Sequence, residues 1–438
     1  MDVLVQWEPT GTIEKDKRGG RLETLKEQDK VKRDAILEHI NRFPRMESHY
    51  CRQKSTRDYL HPDLNKKKMH AMFVEEYASK NIVVSYSTYC EVLKTQNLSF
   101  HNPKKDLCKL CESYRKGDAE KKIELQSQFE EHTKEKEAVR KKKENAKHDD
   151  SPNKTVATFD LQQVIYLPKT NDNMLFYKRR LGNFNLTVYE LKTKTCHCFT
   201  WHEGQGKRGP SEIGTCLTLY LDTLDEACMK EVTLFADGCP GQNKNSVIAA
   251  MLLNFLSRSV NTEKLNLLFF EKYHGQNEGD SAHSAISNAI DSAGDLYVPA
   301  QLMPIFRLAR KKRPYIVHSL QSEDFLDFKM MAKLLRILSV RVDDQGNSVN
   351  WTEMREVMVT KKDLTKIYYK KSHLVDDFNS ISLKVRLQQD GGLHPDKLYS
   401  GPPIIAKEKY DDLVSLCSGD LPVIRISEYG NFFKCLPH

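Results

Sequence analysis

The alternation of apolar and polar positions predicts strands and helices in a definite order between residue 154 and about residue 300. Three strand-like runs come first: TVATFDLQQVIYL, MLFYKRRLGNFNLTVYEL and TKTCHCFTWHEG. They are followed by a helical run, SEIGTCLTLYLDTLDEAC, a strand, VTLFAD, a helix, KNSVIAAMLLNFLSRSV, a strand, LNLLFFEKY, and a helix that begins at DSAHSAISNAI. Turn residues separate these runs, so the predicted order is βββαβαβα.

This order is that of the RNase H-like fold, in which three antiparallel strands precede strands that cross over through helices. The first and fourth strands of such a sheet lie side by side. We therefore expect an α/β fold whose core, residues 151–300, holds a five-stranded mixed sheet. A mostly helical region, residues 1–150, precedes this core, and a small α+β region, residues 301–438, follows it.

The two flanking regions differ from the core in pattern. VKRDAILEHINRF has the apolar spacing of a helix, whereas KKIELQSQFEEHTKEKEAVRKKKENAKHDD is almost entirely charged after its first residues. The charged run predicts a long exposed helix that becomes a linker near residue 150. After residue 320, short strand-like and helical pieces such as VNWTEMREVMV and YDDLVSLC alternate and carry no visible chemistry.

Three acidic residues stand where apolar strands give way to polar sequence: Asp160, Asp237 and Asp280. Desolvating a carboxylate is costly unless it meets a cation, and carboxylates brought together bind magnesium or manganese. Because the first and fourth strands are adjacent, Asp160 and Asp237 are expected to be neighbours, with Asp280 facing them from the start of a helix. Glu278 is the rival for the third position. Taken singly, each acid also fits a turn, a helix cap or an exposed strand end.

Cleavage of a phosphodiester bond explains why three carboxylates would be gathered in one place. Two metal ions about 3.5 to 4 Å apart activate the attacking water or 3′-hydroxyl and stabilise the leaving oxygen. We expect Asp160 to bridge two Mg²⁺ or Mn²⁺ ions, Asp237 to bind the first ion and Asp280 the second. The carboxyl groups should therefore converge on one cleft.

Two motifs, FADGCPGQNKN and YHGQNEGDSAHSAI, resemble those of the RNase H-like DDE/D transposases and integrases, over roughly residues 154–295. More narrowly, the chain resembles animal proteins derived from transposable elements, many of them domesticated. Their common forms are Asp-x-Cys-x-Gly-Gln-Asn, and Gly-His followed after five residues by Asp-Ser-x-His. The resemblance extends to FPRMESHYCR, NPKKDLCKLC and YSGPPIIAKEKYDDLVSLC, and it implies a transposase-like fold. Tyr273 stands where this group usually has a glycine before the histidine.

Polar neighbours of the acids have supporting roles in this interpretation. His283 lies on the same side of its predicted helix as the third aspartate, where it could orient a carboxylate or contact phosphate; the alternative is a polar surface residue. His274 could hydrogen-bond the strand-exit loop. Gln242 and Asn243 follow the second aspartate at a turn into a helix, where free backbone N–H groups could meet an anion. The competing interpretation is that Asn243 or Asn245 caps that helix.

A second metal site is expected in the first region. Cys108 and Cys111 form a C-x-x-C knuckle, and His132 follows on the charged helix at a spacing compatible with structural Zn²⁺. The alternative is a pair of reduced cysteines that packs a turn. The fourth ligand stays open, with a slight preference for the SHYC run, among four residues: His49, Cys51, Cys90 and His101.

The charge of the chain favours an anionic partner, because its 438 residues carry a net charge of +8. One basic run, RLARKKRP, holds Arg307, Arg310, Lys311, Lys312 and Arg313, and a second, KKDLTKIYYKKSH, holds Lys361, Lys362, Lys366, Lys370 and Lys371. We expect these runs to hold DNA through its phosphates without reading sequence. The first run also fits a nuclear localisation signal, and a solvated face would explain either run.

Targeting and redox signals agree with a nuclear, intracellular protein. No run approaches the roughly 18 to 20 apolar residues that a membrane span needs, and the first residues lack the order of a signal peptide. The 11 cysteines are odd in number and scattered, which suits reduced thiols. We therefore expect no membrane partner, while a homo-oligomer stays open.

Two functions follow from these features. The first is a transposable-element-derived DDE/D transposase or nuclease that cleaves or joins DNA with two metal ions, with its activity retained or lost. The alternative is a non-catalytic DNA- or protein-binding protein that keeps the transposase fold and retains the acids by descent. Metal binding by the three aspartates separates the two.

Overall fold

The computed structural model describes residues 23–43, 58–60, 64–80, 82–100, 108–172, 175, 178–275, 277–383, 394–418 and 422–438. The chain forms two compact units, Met1–Leu107 and Cys108–His438. The sequence pattern places a boundary near residue 150, whereas the compact units divide between Leu107 and Cys108. None of the described helices is long and apolar enough to cross a membrane.

The described part of the first unit is mostly helical. Its elements are α1 (Glu23–Arg42), β1 (Asp58–Leu60), α2 (Lys66–Tyr77), α3 (Tyr86–Thr95) and β2 (Leu98–Phe100), with β1 and β2 paired in parallel. The side chains of Asn65 and Ser85 cap α2 and α3 by accepting hydrogen bonds from first-turn N–H groups. Ile36, Phe73 and Tyr89 are fully buried between the helices, so this unit has an apolar core of its own.

The second unit alternates strands and helices along most of its length. Its helices are α4 (Lys109–Lys116), α5 (Ala119–Lys147), α6 (Pro210–Glu226), α7 (Ser246–Arg258), α8 (Glu278–Ser292), α9 (Leu302–Leu308), α10 (Phe328–Leu334), α11 (Lys407–Ser415) and α12 (Ser427–Lys434). Its strands are β3 (Lys154–Leu161), β4 (Ile165–Leu167), β5 (Leu181–Glu190), β6 (Cys196–His202), β7 (Glu231–Ala236), β8 (Lys264–Phe269), β9 (Ile316–Ser319), β10 (Glu356–Thr360), β11 (Asp363–Lys370) and β12 (Asn379–Ser382).

These strands form one 10-stranded mixed sheet in the order β12-β11-β10-β8-β7-β3-β5-β6-β9, with β4 paired to β5. Strands β3, β7 and β8 run parallel to one another, whereas β5 is antiparallel to both β3 and β6. The α/β class is therefore confirmed, and so is the predicted adjacency of the strand that holds Asp160 and the strand before Asp237.

The sheet is larger than the five strands expected from the core pattern. Strand β10 pairs with β8 and continues through β11 to β12, so the region after residue 320 extends the central sheet. Pairing covers the edge of β8, whose backbone N–H and C=O groups would otherwise be open to another chain.

Side chains of the central strands are buried on both faces of the sheet. In β7, Leu234 and Ala236 pack in the core that α6, α7 and α10 cover. The intervening Phe235 points to the opposite face, where it packs with Phe270 and with Val139 of α5. Burial on both faces explains why β7 and β8 read as continuous apolar runs.

The charged run forms the predicted long helix, α5, and most of it is exposed, but its C-terminal half packs on the sheet instead of becoming a linker. Val139 is buried against the sheet, and Lys143 is buried beside it, where it forms an ion pair with Glu278. Glu135 is also buried, and it accepts hydrogen bonds from the loop after β11, including the backbone N–H of His373 at 2.8 Å. Partners in β10, in α8 and in the loop after β11 pair with the charges of α5 that face the sheet, so a helix with few apolar residues still docks.

Candidate functional site

Two of the predicted acids lie side by side at the carboxyl ends of parallel strands. In the register of β3 and β7, Phe159 pairs with Ala236, and Asp160 and Asp237 are the next residues on the two strands. Parallel strands end at the same edge of a sheet, so the two carboxyl groups emerge together. Asp237 is solvent-exposed and the Asp160 side chain is 24% exposed, which leaves this edge open to an ion.

The third acid comes from the first turn of α8. Asn277 caps this helix, and Asp280 completes a capping box by accepting the Asn277 backbone N–H at 2.9 Å. Gly279 is required by the helix cap, because a Cβ at this position would lie 2.7 Å from Oδ1 of Asn277, and the same Cβ would lie 3.6 Å from the Cβ of Asp160, which puts the helix start next to β3. Ligand atoms of Asp160, Asp280 and His283 lie within 4.8 Å of one another. Asp237 is outside this group of ligand atoms and adjoins it through the register of β3 and β7. We call Asp160, Asp237, Asp280 and His283 the acidic centre.

The carboxyl groups of the acidic centre repel one another. Burial raises the pKa of Asp160 to about 7, and the charges of Asp237 and Asp280 add to the rise. The pKa of Asp237 is also raised, first by burial of its carboxyl group and then by the charge of Asp280. Gathering these acids is therefore costly in the absence of a positive charge.

His283 is held in place by the sheet next to Asp160. Its Nε2 lies 3.0 Å from Thr187 Oγ1, and Thr187 is the residue that pairs with Asp160 across β3 and β5. Its Nδ1 lies 3.8 Å from Asp160 Oδ2. Burial lowers the pKa of His283 to about 4, so the ring is neutral at pH 7 and could orient the carboxylate or bind a metal. The alternative of a polar surface residue is wrong, because the side chain is only 13% exposed.

The acidic centre fits a divalent cation. In the described part of the chain, no Lys or Arg forms an ion pair with Asp160, Asp237 or Asp280. Carboxylate oxygens are the hard ligands that Mg²⁺ and Mn²⁺ prefer, and a bound cation would remove the repulsion that raises the pKa of Asp160.

Residues expected near the acids have other partners. Glu278 forms an ion pair with Lys143 and is outside the group of candidate ligand atoms. The backbone N–H groups of Gln242 and Asn243 both donate to the carbonyl of Cys239, so the expectation that they are free to meet an anion is wrong. Asn245 caps α7 by accepting from the N–H groups at its start, which confirms the competing interpretation.

A second group of candidate metal ligands consists of Cys108, Cys111, His132 and His274, whose ligand atoms lie within 4.8 Å of one another. We call it the Cys₂His₂ centre. The sulfur atoms of Cys108 and Cys111 lie 3.5 Å from the Nε2 atoms of His132 and His274 respectively, and the two Nε2 atoms are 3.0 Å apart. The Cys, Cys, His part of this site is as the sequence predicts.

A helical hairpin brings three of these ligands together. Tyr114 of α4 stacks on Phe129 of α5, with ring centroids 3.9 Å apart. Cys111 lies three residues before Tyr114, and His132 lies three residues after Phe129, so each ligand shares a helix face with a stacked ring. The stack therefore sets the register in which sulfur meets imidazole.

The fourth donor differs from the sequence expectation. His274, in the loop after β8, takes the place that was expected to go to a residue between 49 and 101. Of the expected candidates, Cys90 lies in α3 of the first unit. The other three lie outside the described residues: His49, Cys51 and His101.

Sequence reasoning missed the residue that supports the Cys₂His₂ centre. Glu271 Oε2 lies 3.6 Å from His132 Nδ1, and Arg355 forms an ion pair with the same carboxylate. Burial opposes ionisation of Glu271, but the hydrogen bond from His132 and the charge of Arg355 lower its pKa overall. A charged residue directly after an apolar strand run was the signal that could have identified it. Burial and the neighbouring Cys108 raise the pKa of Cys111 to about 11, so this thiol stays protonated until a metal displaces the proton.

The two centres meet in the loop between β8 and α8. Gly275 directly follows His274, and a Cβ added at Gly275 would overlap Oδ1 of Asp237. Tyr273 has φ of 66°, in the left-handed region that favours glycine. The glycine that the family resemblance implies at this position therefore has a backbone reason.

The first basic run lies away from the acidic centre. Arg310 and Arg313 donate to the carbonyl oxygens of Lys194 and Thr193 in the turn between β5 and β6. This turn follows Glu190, which pairs with Ala157 near the start of β3, so it is at the opposite end of the sheet from Asp160. The run from Arg307 to Arg313 therefore does not flank the acids.

The second basic run is distributed along β11. Lys366 and Lys371 form ion pairs with Asp344 and Glu353. Lys370 pairs in register with Glu356, whose other neighbour, Leu268, is close to the end of β8. The end of this run is therefore on the same side of the sheet as the acidic centre.

The fold and the two centres define an α/β protein with an oxygen-ligand centre and a sulfur and nitrogen centre on one mixed sheet. Neither a protein-family model nor a curated protein matches this sequence.

Proposed function

We propose that this protein is a transposable-element-derived DDE/D transposase or nuclease with an RNase H-like core, which acts on DNA in the nucleus. The observation that carries the proposal is that ligand atoms of Asp160, Asp280 and His283 lie within 4.8 Å of one another, with Asp237 next to Asp160 at the end of the adjacent parallel strand. Supporting it, the five strands β6-β5-β3-β7-β8 run in the neighbour order expected of that fold.

The residues have distinct roles in this proposal. Bound Mg²⁺ or Mn²⁺ would activate the attacking water or 3′-hydroxyl and stabilise the leaving oxygen. Asp160, whose pKa is raised by burial and then by the charges of both other acids, would hold the cations together with Asp237 and Asp280. His283 is a positioning residue, because it joins Thr187 to the carboxylate of Asp160. Exposure of Asp237 leaves room for a DNA phosphate.

Cleavage of a labelled DNA duplex in the presence of Mn²⁺ tests the proposal. Asp280→Asn should lower the rate by at least about 100-fold, because a catalytic metal supplies several kcal/mol of transition-state stabilisation. Asp291→Asn is the matched control, since Asp291 is an exposed acid on the same helix that pairs with Lys169 at the surface.

Each outcome bears on one of the two functions. Cleavage that survives in Asp291→Asn and is lost in Asp160→Asn, Asp237→Asn and Asp280→Asn supports the enzyme. Binding of Mn²⁺ and DNA by the parent without cleavage would favour a domesticated binding protein that keeps the fold. Cleavage of equal rate in the parent and all three aspartate variants would contradict the proposed site.

A further inference from the structure

The loop between β8 and α8 takes part in both centres. Its His274 belongs to the Cys₂His₂ centre, and its Gly275 lies against the carboxylate of Asp237. Asn277, at its end, caps α8 and so sets the helix turn that carries Asp280. A displacement of His274 would therefore move the backbone beside one acid and the helix start that presents another.

The geometry of the Cys₂His₂ centre matches that of a tetrahedral ion. With bonds of about 2.3 Å to sulfur and about 2.05 Å to nitrogen, a tetrahedron separates sulfur from nitrogen by about 3.6 Å and the two nitrogens by about 3.3 Å. The observed separations are 3.5 Å for each sulfur and nitrogen pair and 3.0 Å for the two nitrogens. Four protein donors would fill the shell, so the site would be closed, as structural zinc sites are.

The surroundings of the Cys₂His₂ centre also suit a metal. The other ring nitrogen of His132 faces the buried carboxylate of Glu271, which fixes the tautomer that leaves Nε2 free to bind. The ligands come from the α4–α5 hairpin and from the loop after β8, and Cys111 and His274 are 163 residues apart in sequence. An ion that joins residues so far apart strongly reduces the conformational freedom of the unfolded chain.

We propose that a zinc ion in the Cys₂His₂ centre fastens the loop between β8 and α8 to the α4–α5 hairpin and thereby sets the position of Asp237 and Asp280. Zinc here is structural, and its loss loosens the acidic centre without removing any of its ligands. The left-handed backbone of Tyr273 adds a reason for a fastener, because such a conformation is costly for a residue other than glycine and is kept only where the surroundings hold it. The effect on the acidic centre rests on the proposed function, whereas zinc binding and loop ordering do not.

Metal content and hydrogen exchange of the full chain test this fastener. The purified parent should contain one zinc per chain by elemental analysis, and Co²⁺ in its place should give the visible spectrum of a tetrahedral site with two thiolates. His274→Ala should lower the affinity for zinc by more than about 100-fold. Loss of a residue that only hydrogen-bonds a ligand lowers metal affinity by at most about that factor, so a larger loss identifies His274 as a ligand. Lys272→Ala, an exposed neighbour in the same loop, should bind zinc as the parent does.

The exchange measurement isolates the coupling between centres. Removing zinc from the parent with a chelator should speed amide exchange at His274, Gly275 and Gly279, and restoring zinc should reverse the change. Exchange in β1 and β2 of the other unit serves as the internal control for folding.

Three outcomes decide the inference. A parent that holds neither zinc nor tetrahedral Co²⁺ overturns it, and so does a His274→Ala variant with parental zinc affinity. If the protein binds zinc but amide exchange in the loop is the same with and without zinc, the fastener is overturned and the Cys₂His₂ zinc site stands. If zinc orders the loop but the loaded protein binds no Mn²⁺, the proposed function fails and the fastener stands.

Discussion

The acidic centre and the Cys₂His₂ centre are built from opposite materials. The first gathers hard oxygen ligands at the carboxyl ends of parallel strands, where burial and then the neighbouring negative charges raise the pKa of Asp160. The second gathers sulfur and nitrogen ligands between two helices and a loop, where Glu271 supports one of the histidines. The acidic centre is an open site whose carboxylates repel one another, which suits chemistry. The Cys₂His₂ centre is a closed site, which suits holding the chain together.

A single short loop, between β8 and α8, takes part in both centres. His274 and Gly275 are consecutive, yet one faces sulfur and the other faces a carboxylate. Variants of the two centres should therefore differ in kind: changes at the closed centre affect stability, and changes at the open centre affect divalent-cation binding.

The largest expected effect is on stability through zinc. Free zinc at 1,000 times its dissociation constant should raise the free energy of unfolding of the parent by about 4 kcal/mol. Cys111→Ser should lose this gain, because a hydroxyl is a poor substitute for a thiolate ligand. Chemical denaturation with and without zinc measures it, and Cys435→Ser, at an exposed free cysteine, should keep the full gain. Equal gains in the two variants would refute the closed centre.

The acidic centre should show the opposite behaviour in buffer free of magnesium and manganese. Because the pKa of Asp160 is raised from 3.8 to about 7, the folded state binds more protons than the unfolded state between these values. Stability should therefore fall as the pH rises from about 4 to about 7. Asp160→Asn should remove this fall and stabilise the protein at pH 8 by on the order of 2 to 4 kcal/mol. Denaturation midpoints at pH 5 and pH 8 measure the difference.

Asp291→Asn is again the control for charge alone. This exposed acid pairs with Lys169 at the surface, so its replacement should change stability by less than about 1 kcal/mol at either pH. A stability gain at pH 8 as large as that of Asp160→Asn would show that the repulsion is not confined to the acidic centre.

A smaller effect should separate ligands from their supports. Glu271→Gln keeps the size of the side chain but weakens its hold on His132, so zinc affinity should fall by about 10- to 100-fold. Glu278→Gln changes an acid that pairs with Lys143 instead, and it should leave zinc affinity unchanged. Competition with a zinc chelator of known affinity measures both. No loss in Glu271→Gln would remove this residue from the closed centre.

The smallest effect concerns the backbone of the loop. Tyr273→Gly should stabilise the protein by up to about 1 kcal/mol, because relief of the left-handed conformation exceeds the greater freedom of glycine in the unfolded chain. Lys272→Gly, next to it, should destabilise by roughly 0.5 to 1 kcal/mol, since it gains freedom without relieving strain. Thermal melting compares the two, and destabilisation of the same size in both would contradict this account of the loop.

The sheet could be predicted from the sequence because its central strands are buried on both faces. Phe235 and Phe270 pack on one side and Leu234 on the other, so these strands read as mostly apolar runs. The order of the strands predicts that Asp160 and Asp237 are neighbours, as the pairing of β3 with β7 makes them. Strands of the C-terminal region were not predicted to join this sheet, because pairing between edges leaves no periodic signal along the chain.

Helix α5 and the fourth ligand show where sequence reasoning ended. Lys142 and Lys143 anchor α5 through Glu356 and Glu278, and such pairs have no apolar period. His274 reaches Cys111 only because α5 docks on the sheet, so its role depends on a contact that the charged run conceals. A ligand set completed over a long sequence separation needs the tertiary fold before it can be recognised.

Calorimetric titration of the zinc-loaded protein with Mn²⁺ tests whether Asp237 binds a divalent cation beside Asp160. The parent and Asp291→Asn should bind Mn²⁺ with the same affinity, and Asp237→Asn should bind it at least tenfold more weakly, a loss of about 1.4 kcal/mol. Identical isotherms for the parent and Asp237→Asn, or no binding by the zinc-loaded parent, would contradict the account.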